Sequence, residues 1–197
     1  MRLLRSVTLF FALTFLLLPT VLKAATETTS LDGVWQARID PDNVGKTDQW
    51  FARPLSESGE VSTLEVPGVI QQNWPDYHGL AWYERTFPTP DNPNQNGRYI
   101  LRFWQAEYRA DVWLNGVYLG FHEGGEVAFE LDATEALCPL GENNRLTVRV
   151  LNAADTPIDG ISMANIPIET TPTPLSPARA SPPEVWSTRS SCCAFPR

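Results

Sequence analysis

The chain has 197 residues, a formal net charge of −8 and three cysteines. It carries no cluster of Lys and Arg of the kind that neutralises a run of phosphates, which excludes nucleic acid as a partner. Cys138 and the adjacent pair Cys192-Cys193 cannot form a disulfide framework. Stability must therefore come from one apolar core, and about 140 residues between the chain's two unusual ends suffice to build it.

At the N-terminus, Arg2 and Arg5 precede an uncharged run from Val7 to Leu22, which Lys23-Ala24-Ala25 follows. This order of charged, apolar and small residues predicts a secretory signal peptide over residues 1–25. A membrane-spanning helix needs about 20 apolar residues, whereas this run is shorter and is interrupted by Pro19. No cysteine follows it to carry a lipid. The expectation is a periplasmic or secreted protein with no membrane contact after cleavage. Cleavage removes three positive charges and no negative one, taking the formal charge from −8 to −11. Such acidity favours solubility and leaves neutral ligands such as sugars open.

Downstream, aromatic and β-branched runs alternate with Gly, Asn, Asp and Pro, the pattern of short strands. Strands are predicted at Gly33 to Ile39, Thr63 to Val66 and Ala81 to Phe87. In Gly97 to Tyr108, Tyr99, Leu101 and Phe103 share one face and Ile100, Arg102 and Trp104 the other, so a central strand is expected. Val112-Trp113-Leu114 and Val117-Tyr118-Leu119 flank Asn115-Gly116, the dipeptide that best tolerates positive φ at both corners of a tight hairpin. Val127 to Leu131 and Leu146 to Val150 complete the series, and the one helical candidate is a short turn at 132–137. Trp35, Trp82 and Trp113 are expected to fill the space between sheets. Cys138 is expected to be a small buried hydrophobe in a strand-like segment, and His122 a loop residue satisfying backbone groups. The fold class that results is all-β, a jelly-roll β-sandwich. After Pro167, Thr, Ser, Pro and Arg dominate without periodicity, and a disordered tail is expected over 168–197.

Taken in order, several stretches form a recognisable set. They are Leu31-Asp32-Gly33-Val34-Trp35, Val66-Pro67-Gly68, Gly79-Leu80-Ala81-Trp82-Tyr83-Glu84-Arg85-Thr86-Phe87 and Ala110-Asp111-Val112-Trp113-Leu114-Asn115-Gly116. Gly120 to Gly125, Phe129 to Thr134 and Asn144 to Val150 follow. The set resembles the N-terminal sugar-binding jelly roll of glycoside hydrolase family 2, found in β-galactosidases, β-glucuronidases and β-mannosidases, over residues 26–167. That resemblance implies a galactose-binding-like domain of carbohydrate metabolism. In the family the catalytic carboxylates sit on a separate C-terminal barrel, the acid/base within an Asn-Glu dipeptide. This sequence has no Asn-Glu dipeptide and no length for a barrel of about 250 residues. Glu84, Glu107, Glu123 and Glu126 are acids without that setting, and no catalytic residue is assigned.

Sugar sites combine an aromatic platform with a few convergent polar groups. On that ground Trp74, Tyr77 and His78, before the Ala81 strand, and Trp104, Glu107 and Tyr108, ending the central strand, are the candidate sugar-binding residues. Ordinary loop packing is the competing explanation for each. Asp40-Pro41-Asp42-Asn43 comes nearest to calcium-ligand spacing but reads as a surface turn, so neither metal nor cofactor is expected. The partners expected are β-linked glycosides or, alternatively, a separate glycosidase chain on which the domain docks. The family pattern stops at Pro167, suggesting a frameshift or early stop near residue 168 and a sandwich lacking its last strand, with one edge left open.

Overall fold

The computed structural model describes residues 26–92, 94, 97–162, 164, 166 and 188–192. The expected signal peptide lies outside them. Ten strands follow one another: β1 (Glu27–Ser30), β2 (Gly33–Ile39), β3 (Ser62–Val66), β4 (Gly79–Pro88), β5 (Tyr99–Phe103), β6 (Arg109–Leu114), β7 (Val117–Glu123), β8 (Phe129–Asp132), β9 (Asn143–Asn152) and β10 (Thr188–Cys192). They form two antiparallel sheets, a six-stranded one ordered β3-β2-β4-β9-β6-β7 and a four-stranded one ordered β1-β10-β5-β8. The architecture is the expected all-β jelly-roll sandwich.

Its spine is the pairing of β4 with β9 along their whole length, from Gly79 opposite Asn152 to Pro88 opposite Asn143. Alternation sends Leu146, Val148 and Val150 of β9, with Ala81, Tyr83 and Phe87 of β4, into the space between the sheets. There they meet Trp35, Leu101, Phe103 and Phe129, and the last two rings stack with centroids 4.7 Å apart. Each large side chain taken out of water here contributes about 1.5–3 kcal/mol. The Asn115-Gly116 hairpin forms as read from the sequence, with φ of 53° and 82° at its corners.

Trp82 and Trp113 depart from expectation. Their strand neighbours Ala81, Tyr83, Val112 and Leu114 occupy the inter-sheet face, so period two turns both indoles to the opposite face of the six-stranded sheet. The β2–β3 connection covers them there. Trp50 and Leu55 from this excursion bury against Trp82 and Trp113, with Phe51 and Val61 packed alongside. Trp82 lies 5.3 Å from Trp113 and 5.8 Å from Trp50, centroid to centroid. The domain thus has a second, smaller core outside the sandwich. Asp40 anchors its lid, accepting Trp82 Nε1–H at 2.9 Å and the N–H groups of Val44 and Gly45. Asp40 is 1% exposed; the turn read at Asp40 to Asn43 is real, but its first acid is a buried hydrogen-bond hub.

Three smaller readings also change. Cys138 is half-buried in an irregular connection between β8 and β9 rather than in a strand. The candidate helix shortens to one 3-10 turn, Thr134–Ala136. His122 lies within β7 and stacks on Phe129 at 4.5 Å; alternation opposite Ala110 draws it to the core side. Of the expected tail, only 188–192 are described, and they form β10, which pairs with β1 on one side and β5 on the other. Ladder hydrogen bonds use backbone groups alone, so a stretch without hydrophobic alternation can still pair.

Candidate functional site

Two depressions flank the loop that joins β3 to β4. The first is a cleft of about 150 Å³ lined by Val69, Ile70, Gln71, Ala81, Tyr83, Glu107, Val150 and Asn152. Its apolar wall comes from inward-facing positions of β4 and β9 together with Ile70 of the loop, while Asn152 ends β9 and Gln71 and Glu107 come from neighbouring connections. The 3-10 turn Ile70–Gln72 presents Gln71, whose Nε2 donates to the Tyr77 carbonyl at 2.7 Å. That bond leaves the Gln71 Oε1 as an acceptor. Glu107 arrives from the β5–β6 connection across a cis peptide to Tyr108, and its side chain packs close to Gly125. Burial, with Tyr77 nearby, raises the Tyr83 hydroxyl well above its ordinary pKa, so it stays protonated as a donor.

The second depression is an open groove of about 340 Å³ bounded by Arg38, Ile39, Glu60, Ser62 and Trp74. The six residues singled out from the sequence therefore do not form one site. Glu107 lines the cleft and Trp74 the groove. Tyr77 is a strut between them: its hydroxyl donates to the Leu80 carbonyl at 2.7 Å, and burial, then the Asp40 charge, push its pKa up to about 12. His78 is exposed. Trp104 is 37% exposed and lies under the Arg102 guanidinium at 4.3 Å. Tyr108 is held by its backbone, donating to Leu151 O and accepting from Gly124 N. Sequence reasoning missed Gln71, Asn152, Arg38 and Glu60. The signal for Asn152 was alternation along β9, whose even-numbered positions face inward.

A third cluster, on the lidded face, gathers several cations around one buried carboxylate. Asp111, 1% exposed, meets Lys46 at 3.0 Å, Arg149 at 3.2 Å and Arg109 at 3.3 Å, and accepts the Tyr118 hydroxyl at 3.1 Å. Burial alone would raise its pKa, but hydrogen bonds from Arg109 and Lys46, together with their charges, hold it below the usual carboxylate range. Arg149 reaches on to Asp159 at 2.7 Å and Asn43 at 2.8 Å, pinning the turn after β9 to the lid. Among the described residues no group of three or more His, Cys, Asp or Glu is placed to hold a metal ion.

A two-sheet jelly roll whose clefts join an apolar wall to a few convergent polar side chains defines a small-ligand-binding β-sandwich module. The family is settled by comparison: the model of the glycosyl hydrolases family 2 sugar binding domain matches residues 28–163, and the chain belongs to that family. It is similar to β-glucuronidases of Chlorocebus aethiops and Homo sapiens, each 38% identical over 138 residues covering 64% of this chain and 21% of the relative. Among solved structures it resembles an uncultured Clostridium sp. β-glucuronidase at 33% identity and TM-score 0.56, covering 70% of this chain and 24% of that one. A Ruminococcus gnavus β-glucuronidase in complex with D-glucuronic acid matches at 28% identity and TM-score 0.56, with 70% and 24% coverage. The chain thus spans about a fifth of the length of the curated relatives it matches. It is a sugar-binding-type domain of β-glucuronidase-like proteins, of carbohydrate metabolism by family.

Proposed function

We propose that this chain is an exported, non-catalytic glycan-binding unit that takes a β-linked glycoside in the cleft beside Glu107. The observation that carries this is the lining of the cleft. Ile70, Ala81 and Val150 offer an apolar wall for the C–H face of a sugar ring, while Gln71, Glu107 and Asn152 offer donors and acceptors for its hydroxyls. Glu107 is the one carboxylate among the described lining residues. Retaining glycosidases divide acid/base and nucleophile roles between two carboxyl groups about 5 Å apart, and one carboxylate cannot hold both roles.

The test titrates the purified full chain with methyl β-glucuronide, β-galactoside and β-mannoside by calorimetry, with a chromogenic β-glucuronide assayed in parallel. Saturable binding without turnover, weakened by Glu107→Gln, is the expected result. Turnover, or the absence of binding to all three sugars, overturns the reading. The order of Arg2, Arg5, the apolar run and Ala24-Ala25 supports export. N-terminal sequencing of protein recovered outside the cytoplasm should begin at Thr26, and recovery from the cytoplasm alone with Met1 intact would refute export.

A further inference from the structure

The groove on the other side of the β3–β4 loop has the parts of a second sugar subsite, with a different charge character from an acid-binding one. Trp74 forms one wall. Its backbone N–H donates to Ile70 O and its carbonyl accepts from Tyr77 N, both at 3.1 Å. The inner part of the indole packs on the main core, and the ring is only partly covered. Arg38 also lines the groove. Its guanidinium lies 3.9 Å over the Trp50 ring and donates through Nη1 to the Ser58 carbonyl. Among the described residues that carbonyl is its one hydrogen-bond acceptor, although a guanidinium carries five N–H donors. Arg38 is therefore held in place yet still has donors to offer. Glu60, exposed, contributes an acceptor-only carboxylate, Ser62 a hydroxyl that both donates and accepts, and Ile39 an apolar base.

A pyranose presents a face of C–H bonds and a rim of neighbouring hydroxyls that donate and accept. An indole suits the first, and a guanidinium fork beside a carboxylate suits the second. The lining carries one positive and one negative side chain, Arg38 and Glu60, so a ligand carboxylate would gain from one and be repelled by the other. We propose that this groove binds a neutral pyranosyl unit, stacked on Trp74 and hydrogen-bonded through its hydroxyls to Arg38, Glu60 and Ser62. The proposal rests on the reading that the chain binds glycans, and adds to it a second subsite and the sugar class that it takes.

The experiment follows the Trp74 indole N–H resonance of the ¹⁵N-labelled full chain, assigned with Trp74→Phe, during titration with methyl β-D-glucopyranoside and methyl β-D-glucuronide. The expected result is a saturable shift with the neutral glycoside and at least threefold weaker binding of the glucuronide. Trp74→Ala should weaken the neutral sugar at least tenfold. Because Trp74 also touches the core, the exposed Glu60→Ala serves as a second variant and should weaken it at least threefold. Shifts confined to the Gln71 and Asn152 amides would overturn this subsite while leaving the cleft beside Glu107 intact. No shift at either place would overturn both, and glucuronide binding as tight as that of the glucoside would overturn the assignment of a neutral ligand.

Discussion

Asp111→Asn tests the electrostatics of the lidded face most directly. The substitution keeps the shape of the side chain and removes its charge from among Lys46, Arg109 and Arg149, all within 3.3 Å. The Arg149 side chain is 0% exposed, so it cannot recover hydration. Its surviving anionic partner is Asp159, at 2.7 Å, while Arg109 keeps Glu123 at 2.6 Å. Taking one partner from a buried pair costs about 3–5 kcal/mol. The Asn amide oxygen can still accept from one of the three cations, which places the expected cost near the lower end, about 3 kcal/mol. In a domain of this size that lowers the thermal midpoint by about 10 °C. Urea and thermal unfolding of the full chain, followed by circular dichroism, measure it. If an uncompensated buried cation is the cause, adding Arg149→Met to Asp111→Asn should cost less than Arg149→Met alone, a coupling that a double-mutant cycle isolates. A loss below about 1 kcal/mol for Asp111→Asn, the range of exposed pairs, would refute the reasoning.

The pH dependence has a definite sign. Asp111 titrates below its unfolded value, about 3.9 for an Asp, so its stabilisation is full above that pH and is lost as pH falls through the folded value; urea midpoints measured from pH 7 to 3 should fall less steeply for Asp111→Asn than for the parent. Glu84 behaves oppositely: burial raises its pKa despite the Leu55 N–H and Arg145, so Glu84→Gln, which keeps an acceptor for Leu55, should raise the midpoint at pH 7 and lose that advantage as Glu84 protonates. Asn144 is fully buried and joins Thr89, Asn115 and the Cys138 N–H through hydrogen bonds of 2.7–2.9 Å; Asn144→Ala should cost about 1–3 kcal/mol in urea unfolding, since the Cys138 N–H loses its acceptor while Thr89 keeps Cys138 O and Asn115 keeps Ala136 O. A Cβ on Gly45 would lie 2.4 Å from Trp82 Nε1, so Gly45→Ala should displace the lid and alter near-ultraviolet tryptophan circular dichroism, while far-ultraviolet strand signal persists.

Alternation made the sandwich legible because its core faces are made of consecutive odd or even positions. Gly33 to Ile39 appears as β2 with the same bounds, and Asn115-Gly116 fixed the β6–β7 turn through local backbone preference alone. The outer core was not legible for the same reason. Period two says that Trp82 and Tyr83 face opposite ways, but it does not say which face is covered, and both residues are large and aromatic. What decides the matter is the β2–β3 excursion, which has almost no regular structure of its own and acts through Trp50, Leu55 and the Asp40 hub.

The same limit explains the partial recovery of the site. Trp74 and Glu107 could be singled out by residue type, because aromatic rings and carboxylates are what sugar chemistry uses. Their partners come from elsewhere in the sequence: Asn152 from the far end of β9, Arg38 from the outward face of β2, Glu60 from the end of the lid. The link between Asn152 and the cleft is the β4–β9 register, which sets Gly79 opposite Asn152 and Ala81 opposite Val150. The link between Arg38 and the groove is the Trp50 ring beneath its guanidinium, which the lid supplies. The lid therefore does more than bury two indoles. Through Trp50 it holds Arg38, one of the residues lining the groove, so a substitution that loosens it should weaken any ligand in the groove while leaving the cleft beside Glu107 unchanged.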